Sequence, residues 1–406
     1  MKAAHSAALV IAAGVVAAMH VGKLPPALPA LQQVLGVSLV QAGFLLALVQ
    51  LAGMTLGLPA GLLIQRYGPR RSMLAGLLVL SVASALGGAA QGAAGLLVSR
   101  VLEGVGFLCV VLPAPGLLRG IVPAERLSRA LGAWGAYMPL GAALAMLLGP
   151  WVMMQAEPTW GWRIWWWALS ALTALLAALV FRGVPADRSV SVLNGSSVFP
   201  GASASSSESS GLVKLTLQSN GVWLVAVCFA MYSGQWLAVV GFLPSIYAQA
   251  GLAAGATAWL TALVAAVNII GNLVAGVLLH RRVAPLVLLV GGFAAMGGSA
   301  VLAFGVDASS WLQYLAVLAF SMVGGLIPAT LFSLAVRLAP STATVPTTVG
   351  WVQQWSAFGQ FCGPPLVAWV AAQMGHWQLT WAVTGACSLV GIFLAWKLQG
   401  LLDRAQ

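Results

Sequence analysis

The chain has 406 residues, of which 61% are hydrophobic and only 6% are charged. Ordinary soluble domains carry roughly 25% charged residues, so this composition excludes a soluble protein and indicates a membrane protein. The net charge of +11 does not indicate nucleic-acid binding, because the chain lacks the polar surface that surrounds a basic binding face. Spanning strands would alternate apolar and polar residues over about ten positions. This pattern is absent, and we predict an all-α membrane protein.

Apolar runs that are long enough to cross a bilayer as helices recur along the chain. We number twelve predicted transmembrane segments in chain order and keep these numbers below. Segment 1 runs into Lys23 without a small-residue cleavage pattern, so we expect it to be retained and not removed as a signal peptide. The predicted ranges of segments 1 to 12 are 6–28, 40–62, 72–92, 94–118, 130–153, 164–183, 220–246, 255–279, 284–305, 309–336, 344–372 and 378–398.

The basic residues are distributed unevenly between the predicted loops. Positive residues collect in the cytoplasmic loops of membrane proteins. If both termini are cytoplasmic, fifteen of the 18 Lys and Arg residues lie on that side, and Arg163 lies outside. Lys23 and Arg100 fall within helices. We therefore predict a multi-pass protein of a bacterial inner membrane with cytoplasmic N and C termini.

The middle of the chain has a different composition. The range 184–213 is rich in Ser and Gly and ends in "GASASSSESSG", which is typical of a flexible linker. We predict two six-helix bundles, 1–183 and 214–406, joined by a cytoplasmic linker at 184–213. The sequence "GLLIQR" at 61–66 recurs as "GVLLHR" at 276–281, and Gly-Pro at 149–150 recurs at 363–364. The nearly equal separations favour duplicated halves, which are common in secondary transporters.

The sequence "GLLIQRYGPRR" at 61–71 resembles the loop 2–3 signature of the major facilitator superfamily, G-x-L-x-D-R-x-G-R-R/K. The resemblance implies twelve helices in two bundles and a cytoplasmic gate, whose basic groups meet helix ends and carboxylates and hold the halves closed. Gln65 replaces the signature's aspartate and cannot form an ion pair, so we expect a weaker gate. Alternatively, the arginines only orient the chain in the membrane. The residues assigned to the gate are Gln65, Arg66, Arg70 and Arg71.

Three further stretches resemble the cyanate/nitrite-type branch of prokaryotic permeases within this superfamily. They are "MHVGKLPPALPAL", "SRVLEGVGF" and "TVGWVQQWSAFGQFCGPP".

Four acidic, basic or histidine residues lie inside the predicted spans and away from their ends, where each charge costs at least ~2.5–3.5 kcal/mol and therefore needs a reason. His20 and Lys23 are three positions apart on segment 1, and Arg100 and Glu103 are three apart on segment 4, so each pair shares a helix face. One acid against two bases would make a cavity positive and favour an anionic or polar solute. The resemblance places segments 1, 4, 7 and 10 around the central cavity.

We assign Lys23 and Arg100 to substrate binding, and Glu103 with His20 to proton coupling. Two alternatives remain at this point: Lys23 extends from a helix end to the outer membrane surface, and Arg100 with Glu103 forms a purely structural pair.

The second half carries amides and aromatic residues in place of deep charges. Such amides usually face the interior of a helix bundle, because lipid offers them no partner. Asn268, Asn272, Gln353 and Trp355 are further candidates of this kind. The residues of this half that we assign to substrate binding are Tyr232, Gln235, Trp236 and Gln354.

The sequence has no paired carboxylates, nucleophile elbow or phosphate-binding loop, so we predict that it is not an enzyme and uses no cofactor or metal. We predict a secondary transporter that moves a small anionic or polar organic solute by alternating access with proton coupling. It acts as a monomer in the lipid bilayer, with no nucleic acid as a partner. Alternatives are a drug efflux antiporter, suggested by "PLGAALAMLLGP" at 139–150, a copper importer, and a membrane receptor that does not transport.

Overall fold

The computed structural model describes residues 2–187 and 206–404, and within these ranges it is helical almost throughout, with no strand. Ten helices in this part are long and apolar enough to cross a membrane. An eleventh is obtained if Glu125–Gly135 and Tyr137–Met153, which meet at 42°, form one span. Segment 11 is the 30-residue helix Val345–Met374. It is less apolar because Gln353, Gln354 and Gln360 lie on it. The prediction of an all-α membrane protein is confirmed.

Seven segments each form one helix and five are divided into two. The single helices, for segments 3, 6, 7, 8, 9, 11 and 12, are Pro69–Gly88, Pro158–Gly183, Asn220–Gln249, Ala254–His280, Pro285–Ala300, Val345–Met374 and Thr380–Arg404. Each divided segment consists of two helices. They are Lys2–Gly22 and Leu24–Leu35 in segment 1, Leu39–Ala47 and Leu51–Tyr67 in segment 2, and Ala93–Val111 and Ala114–Ile121 in segment 4. Segment 5 consists of Ala124–Gly135 and Tyr137–Met153, and segment 10 of Ser310–Gly324 and Leu326–Arg337.

The predicted linker differs in part from the structure. Residues 188–205 lie outside the described residues. The helix Ser206–Gln218 begins within the range predicted as linker. Its C-terminal part contacts segment 11, where the hydroxyls of Thr216 and Thr347 are 2.9 Å apart.

The break in segment 1 is at Lys23, between two helices. Pro25 and Pro26 follow at the first positions of the second helix and have no N–H to donate to the preceding turn. Gly22 lies against segment 5, since a Cβ atom on it would be 2.7 Å from Cα of Ala142. The break therefore places the Lys23 side chain deep inside the first bundle, where its exposure is 0%.

Small residues allow segments 7 and 11 to pack backbone against backbone. Ala230 and Gly234 are four positions apart on segment 7, and Gly359 and Gly363 are four apart on segment 11. A Cβ atom on Gly234 would lie 2.7 Å from the carbonyl oxygen of Gly359. This spacing is the small-xxx-small pattern of close helix pairs in membranes.

The two halves meet along several helix pairs. Segment 11 packs on both helices of segment 2, segment 8 packs on segment 5, and the second helix of segment 1 packs on segment 7. Segment 2 therefore has neighbours in both halves, because it also contacts segment 4.

Candidate functional site

Lys23 is at the centre of a buried polar cluster in the first half. Its Nζ atom is 2.5 Å from Oε1 of Glu103, 2.9 Å from Oγ of Ser84 and 3.3 Å from Nδ1 of His20. The Ser84 hydroxyl donates to the carbonyl of Trp166, so its oxygen is free to accept from Lys23. An ammonium group has three N–H donors, and each has a partner here. The side chain does not extend to the membrane surface.

Arg100 joins three segments of the first half. Its Nη1 atom donates to Oε2 of Glu103 on the same helix and, at 2.7 Å, to the carbonyl of His20 on segment 1. Its Nε atom donates to the carbonyl of Leu45 on segment 2 at 2.9 Å. Both oxygens of Glu103 thus face cations, Lys23 on one side and Arg100 on the other.

The hydrogen bonds of His20 determine its tautomer. The Thr173 hydroxyl donates to the carbonyl of Leu169, so at 2.8 Å its oxygen accepts from Nε2–H of His20. Nδ1 then carries a lone pair and accepts from Lys23. This assignment follows from the network, as imidazole protons are always inferred, and it makes His20 neutral.

The cluster contains more cations than anions, and two of its N–H groups have no hydrogen-bond partner. His20, Lys23, Arg100 and Glu103 are all 0% exposed. With His20 neutral, two cations and one anion leave a net charge of +1 inside the bundle. Nη2 of Arg100 is buried without a hydrogen-bond partner, and so is the indole N–H of Trp166, whose ring lies 4.7 Å from Nζ of Lys23. An acceptor or anion would complement these groups.

Tyr232 and Trp236 belong to a second network, inside the second half. Asn268 on segment 8 donates to the Tyr232 hydroxyl at 3.0 Å and to the carbonyl of Ser321 at 2.9 Å. The Trp236 indole donates to the Ser321 hydroxyl at 3.1 Å. Asn272 donates to Asn268. The network connects segments 7, 8 and 10, so these residues hold the bundle together in this conformation.

Gln235 and Gln354 have different surroundings. The Gln235 carbonyl accepts from the Ser388 hydroxyl on segment 12 at 3.1 Å, within the second half. Gln354 Nε2 donates at 2.6 Å to the carbonyl of Met54 on segment 2, across the two halves. Its Oε1 atom is buried without a partner. Gln354 is therefore the predicted second-half residue that reaches the first half.

Sequence reasoning missed a second bridge between the halves. Nε2 of Gln50 on segment 2 donates to Oε1 of Gln360 on segment 11 at 3.0 Å. Both side chains are buried. The bridge lies beside the charged cluster, because Gly104 follows Glu103 and its Cβ would be 2.6 Å from the carbonyl of Val49. The sequence shows an amide side chain in each of these two apolar segments, but it does not indicate that the two amides pair with each other.

Arg70 and Arg71 contact the end of segment 6. Their backbone N–H groups donate to the carboxylate of Asp187, at 2.8 and 3.3 Å, at the N-terminus of the helix Pro69–Gly88. The Arg70 side chain donates to the carbonyl of Phe181 and lies over its ring. The side chain of Arg70 thus contacts a helix end of the first half, and Asp187 lies in the range predicted as linker. None of these contacts joins the two halves, so the gate stays a prediction. The side chains of Gln65 and Arg66 lie outside the described part of the structure.

The sequence and the fold both match known transporters. The family model "Major Facilitator Superfamily" matches residues 10–347. The chain belongs to the Major Facilitator Superfamily. It is 25% identical to the cyanate transport protein CynX of Escherichia coli (strain K12) over 379 residues, which are 91% of this chain and 90% of that protein.

Two further similarities cover different shares of the chain. The puromycin resistance protein pur8 of Streptomyces alboniger is 34% identical over 165 residues, 40% of this chain and 31% of that protein. The fold resembles the fucose:proton symporter FucP of E. coli with a TM-score of 0.67 at 17% identity, covering 98% of this chain and 99% of that one. This superfamily consists of membrane transporters and not enzymes, so the protein is a multi-pass membrane protein of a transporter family.

Proposed function

We propose that the protein is a proton-coupled secondary transporter of a small anionic or polar solute in a bacterial inner membrane, with both termini in the cytoplasm. The observation that carries this proposal is the fully buried cluster of Lys23, Arg100 and Glu103, with its net charge of +1. Buried ionisable groups in membranes are characteristic of substrate sites and proton relays. The similarity to CynX over most of both chains supports an anionic solute.

Two unpartnered buried atoms are the proposed contacts for the solute. Among the substrate-binding residues chosen from sequence, these are Nη2 of Arg100, a donor, and Oε1 of Gln354, an acceptor. A donor with positive charge suits a carboxylate or other small anion, and an amide oxygen suits a hydroxyl or N–H. Arg100 bonds to Leu45 and Gln354 to Met54, nine residues or about 13 Å apart along segment 2 at 1.5 Å per residue, so we propose that the solute meets them one after the other. The N–H groups of Lys23 are all used within the cluster, so we assign the direct contact to Arg100.

Segment 2 provides a mechanical link between the cluster and the other half. On one side its Leu45 carbonyl accepts from Arg100, and on the other its Gln50 donates to Gln360. A change of charge in the cluster alters the bond to Leu45 and so biases the contact of segment 2 with segment 11. Such a differential contact is what a ligand or proton needs in order to shift a conformational equilibrium.

A binding screen tests this proposal. The purified protein is heated in the presence of cyanate, small carboxylates and cationic dyes, since a ligand that binds only the folded state raises the melting temperature. We expect a rise with an anion, a smaller rise in Gln354→Leu, and an unchanged rise in the matched variant Gln353→Leu. A rise with cationic dyes and none with anions would contradict the proposal and favour drug efflux, the alternative that the similarity to pur8 supports.

A further inference from the structure

Proton coupling through the cluster requires one of its groups to change its charge. Which group gains and loses the transported proton is a question that rests on the proposed function. Sequence reasoning selected Glu103, because it is the carboxylate deep in the membrane. Glu103 and Lys23 can be compared by the net charge that the buried cluster would hold after each of them changes its protonation.

Protonation of Glu103 is opposed by both of its neighbours. Its Oε1 and Oε2 atoms accept from Lys23 and Arg100 respectively, so a proton on either oxygen would replace a charge-assisted bond. The cluster would then hold two buried cations and no anion. A buried charge that has lost its partner is strongly destabilising.

Deprotonation of Lys23 has the opposite effect on the charge. Arg100 remains charged under all conditions found in proteins, and its pair with Glu103 is electrically balanced. Loss of one proton from Lys23 takes the cluster from +1 to neutral. The remaining amine keeps two N–H donors and gains a lone pair, so hydrogen bonds to Glu103 and Ser84 persist.

The side chains of segments 3 and 6 that contact Lys23 in the described structure are uncharged. Segment 3 contributes Ser84, and segment 6 contributes the ring of Trp166 together with Trp165, whose indole donates to the Lys23 carbonyl. On its own segment His20 is the neighbouring titratable group, and its Nε2–H is held by Thr173. Among the described contacts of Lys23, the charged groups are therefore those of segment 4.

We propose that Lys23 is the group that binds and releases the transported proton, as ammonium and as neutral amine. Glu103 remains an ionised counter-ion to Arg100, and His20 positions the Lys23 amino group by accepting from it. The conformation described here has all three N–H donors of Lys23 partnered and is the protonated state. In the deprotonated state the His20–Lys23 hydrogen bond is free to break. The neutral amine also loses its cation–π contact with Trp166 of segment 6, which weakens the contact of segment 1 with segment 6.

Nuclear magnetic resonance of the intact protein tests this assignment without a solute. The chain has four lysines, Lys2, Lys23, Lys214 and Lys397, so protein labelled with ¹³C at the lysine ε-carbon gives a tractable spectrum. The variant Lys23→Met assigns the signal of Lys23, and Lys214→Met is the control on an exposed lysine. We expect the Lys23 signal to move from its ammonium position to its amine position as the pH is raised. The ¹³C-labelled Glu103 carboxyl should stay ionised over the same range.

Titration of Glu103 in place of Lys23 would contradict this assignment. A Lys23 signal that stays at the ammonium position while the Glu103 carboxyl signal shifts would assign the proton to Glu103 and overturn the inference. Folded yield provides an independent readout: Lys23→Met leaves a balanced Arg100–Glu103 pair and should fold as well as Lys214→Met, whereas Glu103→Gln should not. A poorly folded Lys23→Met with a well-folded Glu103→Gln would also overturn it.

Transport data separate this inference from the proposed function. If wild-type protein in vesicles moves cyanate or a carboxylate without any proton movement, the proposed coupling fails, whichever group titrates. If the wild type is coupled and Lys23→Met remains coupled to the same degree, the coupling stands and the assignment to Lys23 fails.

Discussion

At the scale of single residues, the central feature is one carboxylate held between two cations. Glu103 accepts from Lys23 at 2.5 Å and from Arg100, and all three are 0% exposed. Inside a membrane protein a buried charge is stable when an opposite charge balances it, and Glu103 is the counter-ion of both cations. Loss of Glu103 therefore leaves cations without a partner, whereas loss of one cation leaves a balanced pair.

Removal of one partner of the Arg100–Glu103 pair should destabilise the fold, while removal of both should not. We expect Glu103→Leu to lower the unfolding free energy by about 3–5 kcal/mol, because it leaves two buried cations without an anion. Arg100→Leu leaves Glu103 paired with Lys23 and should cost about 1–3 kcal/mol, because the carbonyls of His20 and Leu45 lose their donor. The double variant should recover most of the loss seen in Glu103→Leu, because Lys23, the charge that remains, can become neutral by releasing its proton. The double variant should fold and fail to transport, since Nη2 of Arg100 is the proposed solute contact. Thermal unfolding and vesicle uptake measure the two effects. Full uptake by the double variant would mean that the pair is only structural.

The sequence identified the charged members of the cluster but not their partners. Spacing of three on a helix predicted that His20 lies near Lys23 and Arg100 near Glu103, and both pairs meet in the structure. Ser84 and Thr173 could not be found, because hydroxyl residues on apolar helices usually bond to their own backbone. Arg100's bond to the Leu45 carbonyl depends on how segments 2 and 4 pack, which local patterns do not specify.

At the scale of helices, packing depends on small residues at a few close contacts. A Cβ atom on Gly359 would lie 2.8 Å from Cα of Ala230, so Gly359→Ala should force segments 7 and 11 apart and cost about 1–3 kcal/mol. The matched variant Gly298→Ala, on a helix where no atom lies within 4 Å of the new methyl group, should be neutral or stabilising by about 0.5–1 kcal/mol. Thermal unfolding compares the two. Equal effects would show that this contact does not limit the packing.

The N-terminus of segment 3 gives a second test at this scale. Asp187 accepts from the N–H groups of Arg70 and Arg71, and a carboxylate at this end of a helix is favourable both as a cap and by interaction with the helix dipole. We expect Asp187→Ala to lower the unfolding free energy by about 0.5–2 kcal/mol. Asp307→Ala, at an exposed loop position, is the control and should have no measurable effect. If the two variants unfold alike, Asp187 does not stabilise this end of the helix.

Most helices, but not their interruptions, could be predicted from apolar runs. Length and hydropathy located the spans. Pro25 and Pro26 were an available signal for the break at Lys23, which the predicted span 6–28 did not include. The short 3-10 turn Leu48–Gln50 has neither Pro nor Gly to mark it. That turn contains Gln50, so the interruption of segment 2 and the hydrogen bond to Gln360, neither of which was predicted, involve the same residue.

At the scale of the whole molecule, the structural similarity of the two halves stays a prediction, which two features of the helices support. The recurring sequences "GLLIQR" and "GVLLHR" stand near the ends of the helices Leu51–Tyr67 and Ala254–His280. Segments 4 and 10 are interrupted at corresponding places, after Val111 and at Gly325. We expect residues 1–183 and 214–406 to superpose about an axis along the membrane normal.

The amide bridge between the halves should stabilise the conformation described here. We expect the double variant Gln50→Leu, Gln360→Leu to populate a second conformation, because both partners of a buried inter-half hydrogen bond are replaced together. Spin labels at Gln91, in the loop after segment 3, and at Gly255, in the first turn of segment 8, measure the distance between the halves. Gln313→Leu, at a half-buried position on segment 10, is the control. An unchanged distance distribution in the double variant would show that the bridge does not select the conformation.

The most direct measurement is proton movement driven by a solute. Vesicles containing the purified protein and a trapped pH-sensitive dye receive a gradient of the anion that raised the melting temperature, and solute uptake is recorded in parallel. The account predicts that wild-type protein and Lys214→Met move protons with the solute, whereas Lys23→Met exchanges solute without proton movement. Proton movement by Lys23→Met equal to that of the wild type, or solute uptake by the wild type without protons, would contradict the claim that this cluster couples the two.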